Sequence, residues 1–266
     1  MATALADHRD SVLDRLRAAQ RRFIFLDFDG TLVPIADDPW SCKASDAMKA
    51  TLTRLNEAPG TAVGIVSGRD LADLIPRIGV PGLGYSGNHG LEIEWNGRSF
   101  RHPEAEARRE PLDRIVDELR QAVAPFPGAW VQHKGLTASV HHRQVEAGSV
   151  PSLIRVVESV VRTDSFVLRH GKAVAEVRPA VEWNKGHAVA YMTDPHAAEN
   201  VSVYFGDDET DEDVFVRLAG QITIRIGDAR HTAAAYFVHD PAEVHAFLNA
   251  LTGLYPDAAD GVTSAG

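Results

Sequence analysis

Two aspartates, Asp27 and Asp29, stand one residue apart directly behind the apolar run 23–26, and Gly30 follows the second. Apolar residues closed by a glycine read as a short buried strand that delivers its carboxylates to a loop. In an extended segment residues i and i+2 point the same way, so both carboxylates face one cavity, while Gly30 lets the backbone approach an anion closely. A second acidic run, GDDETDED at 206–213, follows another buried-type strand, VSVYF. Carboxylates ~4 Å apart repel by about 1 kcal/mol in water and about 4 kcal/mol at an effective dielectric of 20, so something positive belongs nearby. If Asp27, Asp29 and Asp207 converge on one sheet edge, they offer the hard oxygen donors that Mg2+ takes, with waters and a substrate phosphate completing its shell. One carboxylate, held against such an ion and an electrophilic phosphorus, can attack as nucleophile. The other, two residues on, can protonate the leaving oxygen and later activate water. Ser67, with its neighbouring backbone N–H groups, can bind phosphate oxygens, and Lys185 at a helix N-terminus adds a full positive charge. A local reading competes for part of the acidic run: Asp211 as a helix N-cap, with Glu212 and Asp213 in the first turn. It does not reach Asp207 or Asp208, which precede the cap.

The elements that must position these groups alternate. Ser45 caps a helix with Met48, Leu52 and Leu55 on one face, stopped by Pro59 and Gly60, and TAVGIVSGR then gives a strand ending at Ser67. Such alternation predicts a parallel sheet with helices on both faces, its ligands beyond the carboxyl ends of the strands. The middle changes character. Leu112, Ile115, Val116, Leu119 and Val123 form one helical stripe, then AWVQH and LTASVHHR pair through Lys134 and Gly135. A second helix, Val150 to Val161, leads to SFVLRH and AVAEVRP, hinged at Gly171 and Lys172. From Glu182 the first pattern returns: Asn184 caps a helix beginning at Lys185, and Asp240 with Pro241 opens a final one. The predicted fold is α/β, a Rossmann-like parallel-sheet core formed by 1–103 and 179–266, with an α+β cap domain inserted at 104–178. The small polar residues of 257–266 are expected to fray.

Composition narrows the partners. A net charge of −10 argues against a general nucleic-acid binder, which needs surplus Lys and Arg to neutralise phosphates. No run of ~18 apolar residues occurs and the first residues lack an apolar signal core, so neither membrane nor secretion is expected. One cysteine, Cys42, excludes an internal disulfide framework and suits a reducing, cytoplasmic compartment. The oligomeric state is open, and a monomer is compatible with everything above. Three motifs are decoys. GLGYSG at 82–87 matches a dinucleotide fingerprint but precedes a strand rather than a helix; Gly171 and Lys172 lack the rest of a P-loop; His141 and His142, adjacent in a strand, face opposite sides. The Asn200 acceptor pattern with Ser202 is a chance match.

DFDGT at 27–31, Ser67, Lys185 and GDD at 206–208 resemble, in order, the four motifs of haloacid dehalogenase-type phosphatases. VSGR (66–69), GNHG (87–90), HKG with HHR (133–143), GKAVAEVRP (171–179), NKG (184–186) and GDDETDEDVF resemble the trehalose-6-phosphate phosphatases. The resemblance implies Asp27 as nucleophile, forming an aspartyl-phosphate, and Asp29 as general acid then base. It implies Mg2+ bound by Asp27, the carbonyl of Asp29, and Asp207, with Asp208 and Asp211 in support. It further implies a cap that closes over a sugar phosphate, met by Gly30, Arg69, Asn88 and His89 from the core and by Lys134, His141, Arg143, Lys172 and Glu176 from the cap. Where these enzymes usually carry Glu and Tyr, this chain has Gln132 and His142, changes that bear on selectivity among glycosyl phosphates. The alternatives are a phosphatase of another sugar or pseudo-disaccharide phosphate, and a non-catalytic sugar-phosphate sensor.

Overall fold

The computed structural model describes residues 2–36, 40–193 and 200–255. The tail at 257–266 lies outside the described residues. The strands are β1 (Thr3–Ala4), β2 (Arg21–Leu26), β3 (Thr61–Val66), β4 (Gly84–Gly87), β5 (Glu92–Trp95), β6 (Arg98–Arg101), β7 (Trp130–His133), β8 (Ala138–His141), β9 (Phe166–Gly171), β10 (Val174–Pro179), β11 (Asn200–Gly206), β12 (Ile222–Ile226) and β13 (Tyr236–Val238). The α-helices are α1 (Arg9–Ala18), α2 (Asp46–Glu57), α3 (Leu71–Ile78), α4 (Pro103–Glu106), α5 (Arg109–Val123), α6 (Val150–Val160), α7 (Lys185–Met192), α8 (Glu212–Arg217) and α9 (Pro241–Thr252). None of them is long and apolar enough to cross a membrane. The chain divides into two compact units, one of Met1–Arg98 with Asn184–Gly266, the other Ser99–Trp183, a few residues wider at each end than the expected 104–178.

In the larger unit the sheet order is β1-β13-β12-β11-β2-β3-β4-β5. The pairs from β1 through β4 are parallel, and β5 turns back antiparallel on β4. Strand side chains alternate between faces. Ile24, Leu26, Val63, Ile65, Val203 and Phe205 enter one core with residues of α1, α2, α3 and α9, while Tyr204 packs on Phe215 of α8 and Phe25 on Trp95. Both faces of the inner strands are therefore covered, which is why they read as continuous apolar runs. The helix starts follow local chemistry: Ser45, Asp70, Asn184 and Asp240 each accept a backbone N–H two or three residues into their helices.

The smaller unit is an antiparallel sheet, β7-β8-β10-β9. Ala138, Val140, Ala175 and Val177 pack beneath Leu112, Val116, Leu119 and Val123 of α5 and Leu153 and Val157 of α6. Its second hairpin turns one residue later than expected. Gly171 sits in β9 opposite Val174, the loop is Lys172 and Ala173, and Ala173 takes the left-handed φ of 61°. Burial of Leu168, Ala175 and Val177 sets the register, and the turn takes the two residues left over.

Candidate active site

The site lies at the carboxyl ends of the inner strands. The pairing of β2 with β11 is extended by the Asp27 amide, which donates to the Phe205 carbonyl at 2.9 Å, so Asp27 and Asp207 leave neighbouring strands side by side. Asp27, Asp207 and Asp211 each offer a carboxylate oxygen, all within 4.8 Å of one another. Lys185, at the first position of α7, is buried and places its Nζ 2.8 Å from both Asp27 Oδ1 and Asp211 Oδ1. Gly30 is obligatory here: its φ is +85°, and a Cβ would come within 2.3 Å of the Asp207 carboxylate.

Three carboxylates around one ammonium leave an excess of negative charge in a dry site. Burial pushes the Asp27 carboxyl well above the ordinary carboxylate range; the Lys185 ammonium opposes this, and the Asp211 and Asp207 charges reinforce it. Burial would lower the Lys185 pKa, but its two carboxylate partners outweigh burial and raise it, so the amine stays charged. Closely spaced hard oxygen donors whose mutual repulsion a cation would relieve fit a divalent ion such as Mg2+.

Asp211 departs from the local reading. It is completely buried, and the cap of the 209–211 turn is Asp208, whose side chain accepts the Asp211 amide while Asp211 Oδ2 accepts the Asp208 amide at 2.9 Å. As the residue before α8, Asp211 caps nothing with its side chain. Its Oδ1 instead receives Lys185 and, at 2.6 Å, the Tyr204 hydroxyl. Tyr204, missed by sequence reasoning, is the fourth residue of VSVYF, and a phenol in a buried strand must find a polar partner. Burial, then the Asp211 and Asp27 charges, push its pKa up, so it remains a donor.

Asp29 is turned to another partner. Its two oxygens receive Arg69 Nε at 2.7 Å and Nη2 at 2.8 Å. Ser67 directly follows β3 and is almost fully buried, and its Oγ accepts the Arg69 amide at 3.1 Å. Asn88 and His89, both at positive φ, pair back through their amides to the Arg69 and Ser67 carbonyls, and the His89 ring fills the space over Gly68, where a Cβ would meet it at 2.5 Å. Consecutive left-handed non-glycine residues cost free energy and mark a loop held for a purpose. Glu92, also missed, holds this loop by accepting the Leu71 amide at 2.9 Å and Asn88 Nδ2 at 2.8 Å. The larger unit thus brings together Asp27, Gly30, Lys185, Asp207, Asp208 and Asp211, with Asp29, Ser67, Arg69, Asn88 and His89 joined by the Arg69 contacts.

In the smaller unit, Lys134 Nζ lies 2.8 Å from Glu176 Oε1, and Arg178 holds the other carboxylate oxygen. His141 stacks on Trp130 with ring centroids 3.9 Å apart and lies 2.9 Å from Gln132 Oε1. Cross-strand register puts Ser139 between Gln132 and Glu176 on that face; its hydroxyl, unnoticed in the sequence, is buried with no hydrogen-bond partner among the described residues. Arg143 and Lys172 are exposed at turns.

Residues 25–242 match the family described as Trehalose-phosphatase, and the chain belongs to that family. It is 35% identical over 243 residues to the trehalose-phosphate phosphatase of Mycobacterium tuberculosis, covering 88% of this chain and 62% of that protein. The chain therefore spans about three fifths of the length of the curated relatives it matches. Among solved structures, the C-terminal domain of Candida albicans trehalose-6-phosphate phosphatase superposes with a TM-score of 0.80 at 26% identity, over 95% of this chain and 98% of that one. A trehalose-6-phosphate phosphatase related protein gives a TM-score of 0.77 at 29% identity, over 87% of this chain and 97% of that one.

Proposed function

We propose that the chain is a Mg2+-dependent phosphatase that hydrolyses trehalose 6-phosphate to trehalose and phosphate through an aspartyl-phosphate on Asp27. The observation that carries the reading is the buried Asp27, held by Lys185 beside Asp207 and Asp211, with a second aspartate two residues on. Asp27 attacks phosphorus as its bond to the sugar oxygen breaks, and Asp29 gives its proton to that oxygen. Asp29 then takes a proton from water, the water oxygen bonds to phosphorus, and the bond to Asp27 breaks to release phosphate. Ser67 and Lys185 hold the phosphoryl oxygens throughout. Asp27, Asp207 and the Asp29 carbonyl, with Asp208 and Asp211 in support, would hold a divalent ion, which would supply positive charge against the transferring phosphoryl group. Lys134, His141, Arg143, Lys172 and Glu176 in the smaller unit, a cap in this reading, supply the planar polar partners that sugar hydroxyls need. A cytoplasmic location belongs to the same proposal and suits the lone, buried Cys42.

The test is phosphate release, with and without Mg2+, over a panel of sugar phosphates. Preferred release from trehalose 6-phosphate supports the proposal. Preference for another glycosyl phosphate keeps the chemistry and moves the substrate, with the Gln132 and His141 pair as the first place to look. No magnesium-dependent release from any member leaves a sugar-phosphate sensor.

A further inference from the structure

The Arg69 guanidinium is itself held. While Nε and Nη2 grip Asp29, Nη1 donates to Asp73 Oδ2 at 2.8 Å, and the cation lies 5.4 Å from the centre of the Phe28 ring. Asp73 divides its two oxygens, because Oδ1 receives Arg77 through Nε at 2.8 Å and Nη2 at 2.6 Å. Arg77 is fixed in turn, donating Nη1 to the carbonyls of Trp40 and Cys42, both at 2.8 Å. Charges alternate along this chain, minus, plus, minus, plus, so the two inner members, Arg69 and Asp73, are each paired on both sides. Only the outer member is substantially exposed: the Asp29 side chain is 37% exposed, against 11% for Arg69, 14% for Asp73 and 8% for Arg77. The outer carboxylate, on a turn and partly in solvent, is tied to the backbone through two guanidiniums that cannot rotate freely.

This geometry answers a need of the proposed reaction. A proton donor must meet the leaving oxygen at hydrogen-bond distance, and displacement by ~1 Å can cost about 100-fold. A bidentate guanidinium fixes the carboxyl plane and leaves each oxygen one further lone-pair direction, where the proton sits when Asp29 faces the leaving oxygen and where the water proton arrives later; the guanidinium itself favours the ionised form, so what it supplies is position and not acidity. We infer that Asp73 and Arg77 are positioning residues for the acid step, acting through Arg69 to hold the Asp29 carboxyl group in line with the leaving oxygen. Asp73 and Arg77 touch no reacting atom. Burial opposes ionisation of Asp73, and the two guanidiniums outweigh it, holding its pKa below the usual carboxylate range, so the link stays charged at neutral pH. The inference rests on the phosphatase reading and adds residues that a surface i, i+4 ion pair on a helix would not suggest.

A leaving group that needs a proton separates positioning from mere support. The experiment measures kcat/KM for trehalose 6-phosphate, whose alkoxide must be protonated as it departs, and for 4-nitrophenyl phosphate, whose phenolate leaves unaided. The ratio of the two is independent of how much of a variant is folded, since unfolded protein lowers both equally. Asp73→Asn is expected to lower that ratio by roughly 10- to 100-fold, part of the ~10²–10⁴ that a placed acid supplies. Arg77→Lys, which keeps the charge but cannot grip Asp73 through two nitrogens and the Trp40 and Cys42 carbonyls at once, is expected to do the same and serves should Asp73→Asn fail to fold. Equal losses on both esters in the two variants would overturn the inference and leave the phosphatase reading standing. Wild-type protein that releases phosphate from neither ester would remove both.

Discussion

At Asp27 the fold places an anion where burial and two neighbouring carboxylates resist it, and Lys185 compensates only in part. Asp27→Asn removes the attacking oxygen and the repulsion together. Phosphate release is therefore expected to fall by more than about 10³-fold. The melting temperature measured without metal is expected to hold or rise, because the substitution removes one of three crowded charges. A fall of several degrees would mean that Asp27 stabilises the fold instead. Residue by residue, the sequence was informative where a type was out of place locally. Asp27, Asp29 and Asp207 follow strands that should end in turns, and that anomaly was legible. Asp211 was legible only through the family resemblance, because an acid ahead of a helix already has a sufficient local explanation, and only tertiary packing brings Lys185 and Tyr204 to it. Asp73 and Arg77 escaped for the same reason, being spaced like any surface pair on a helix.

At the scale of elements, the turn after β2 and the strand β4 carry separate expectations. Gly30→Ala sets a Cβ against Asp207 at a left-handed φ, so it is expected to lose about 1–3 kcal/mol of stability and to weaken Mg2+ binding; calorimetric titration with the metal and thermal melting read the two effects. On β4, the Tyr85 hydroxyl donates to the Val80 carbonyl at 2.9 Å, and burial, aided by Glu94, pushes its pKa up to about 12. The folded value lies above the ~10 of an unfolded tyrosine, so this stabilisation is complete below pH ~10 and is lost as pH rises towards 12. Denaturant midpoints across that window should fall less steeply for Tyr85→Phe than for wild type. Identical slopes would show that another group governs the alkaline limb. The inner strands were legible as apolar runs because both faces are buried, and the caps because Ser45, Asn184 and Asp240 act locally. The turn at Lys172 and Ala173 was not, because a glycine nearby is a weaker determinant than the register that core packing imposes.

For the whole molecule, a cation that binds only the folded site must stabilise all of it. Mg2+ at about 100 times its dissociation constant adds ~2.7 kcal/mol, a shift of several degrees for a chain this long. Asp207→Asn should abolish that shift while changing little in the absence of metal; an unchanged shift would place the ion elsewhere. The parallel core and its interruption by a helix-and-hairpin segment were legible from the change of pattern along the chain, whereas strand order was not, since nothing local tells β2 to lie against β11. That adjacency, Arg21 opposite Asn200, also governs how the protein is made. On the ribosome β2 emerges before the smaller unit, and the strand that covers its second edge is translated only after that entire unit. Until then an apolar ribbon has one side unzipped, an invitation to self-association that nascent-chain chaperones exist to mask. Fragments that stop short of residue 200 should accordingly precipitate, and the machinery of Asp27 cannot assemble until β11 has been made.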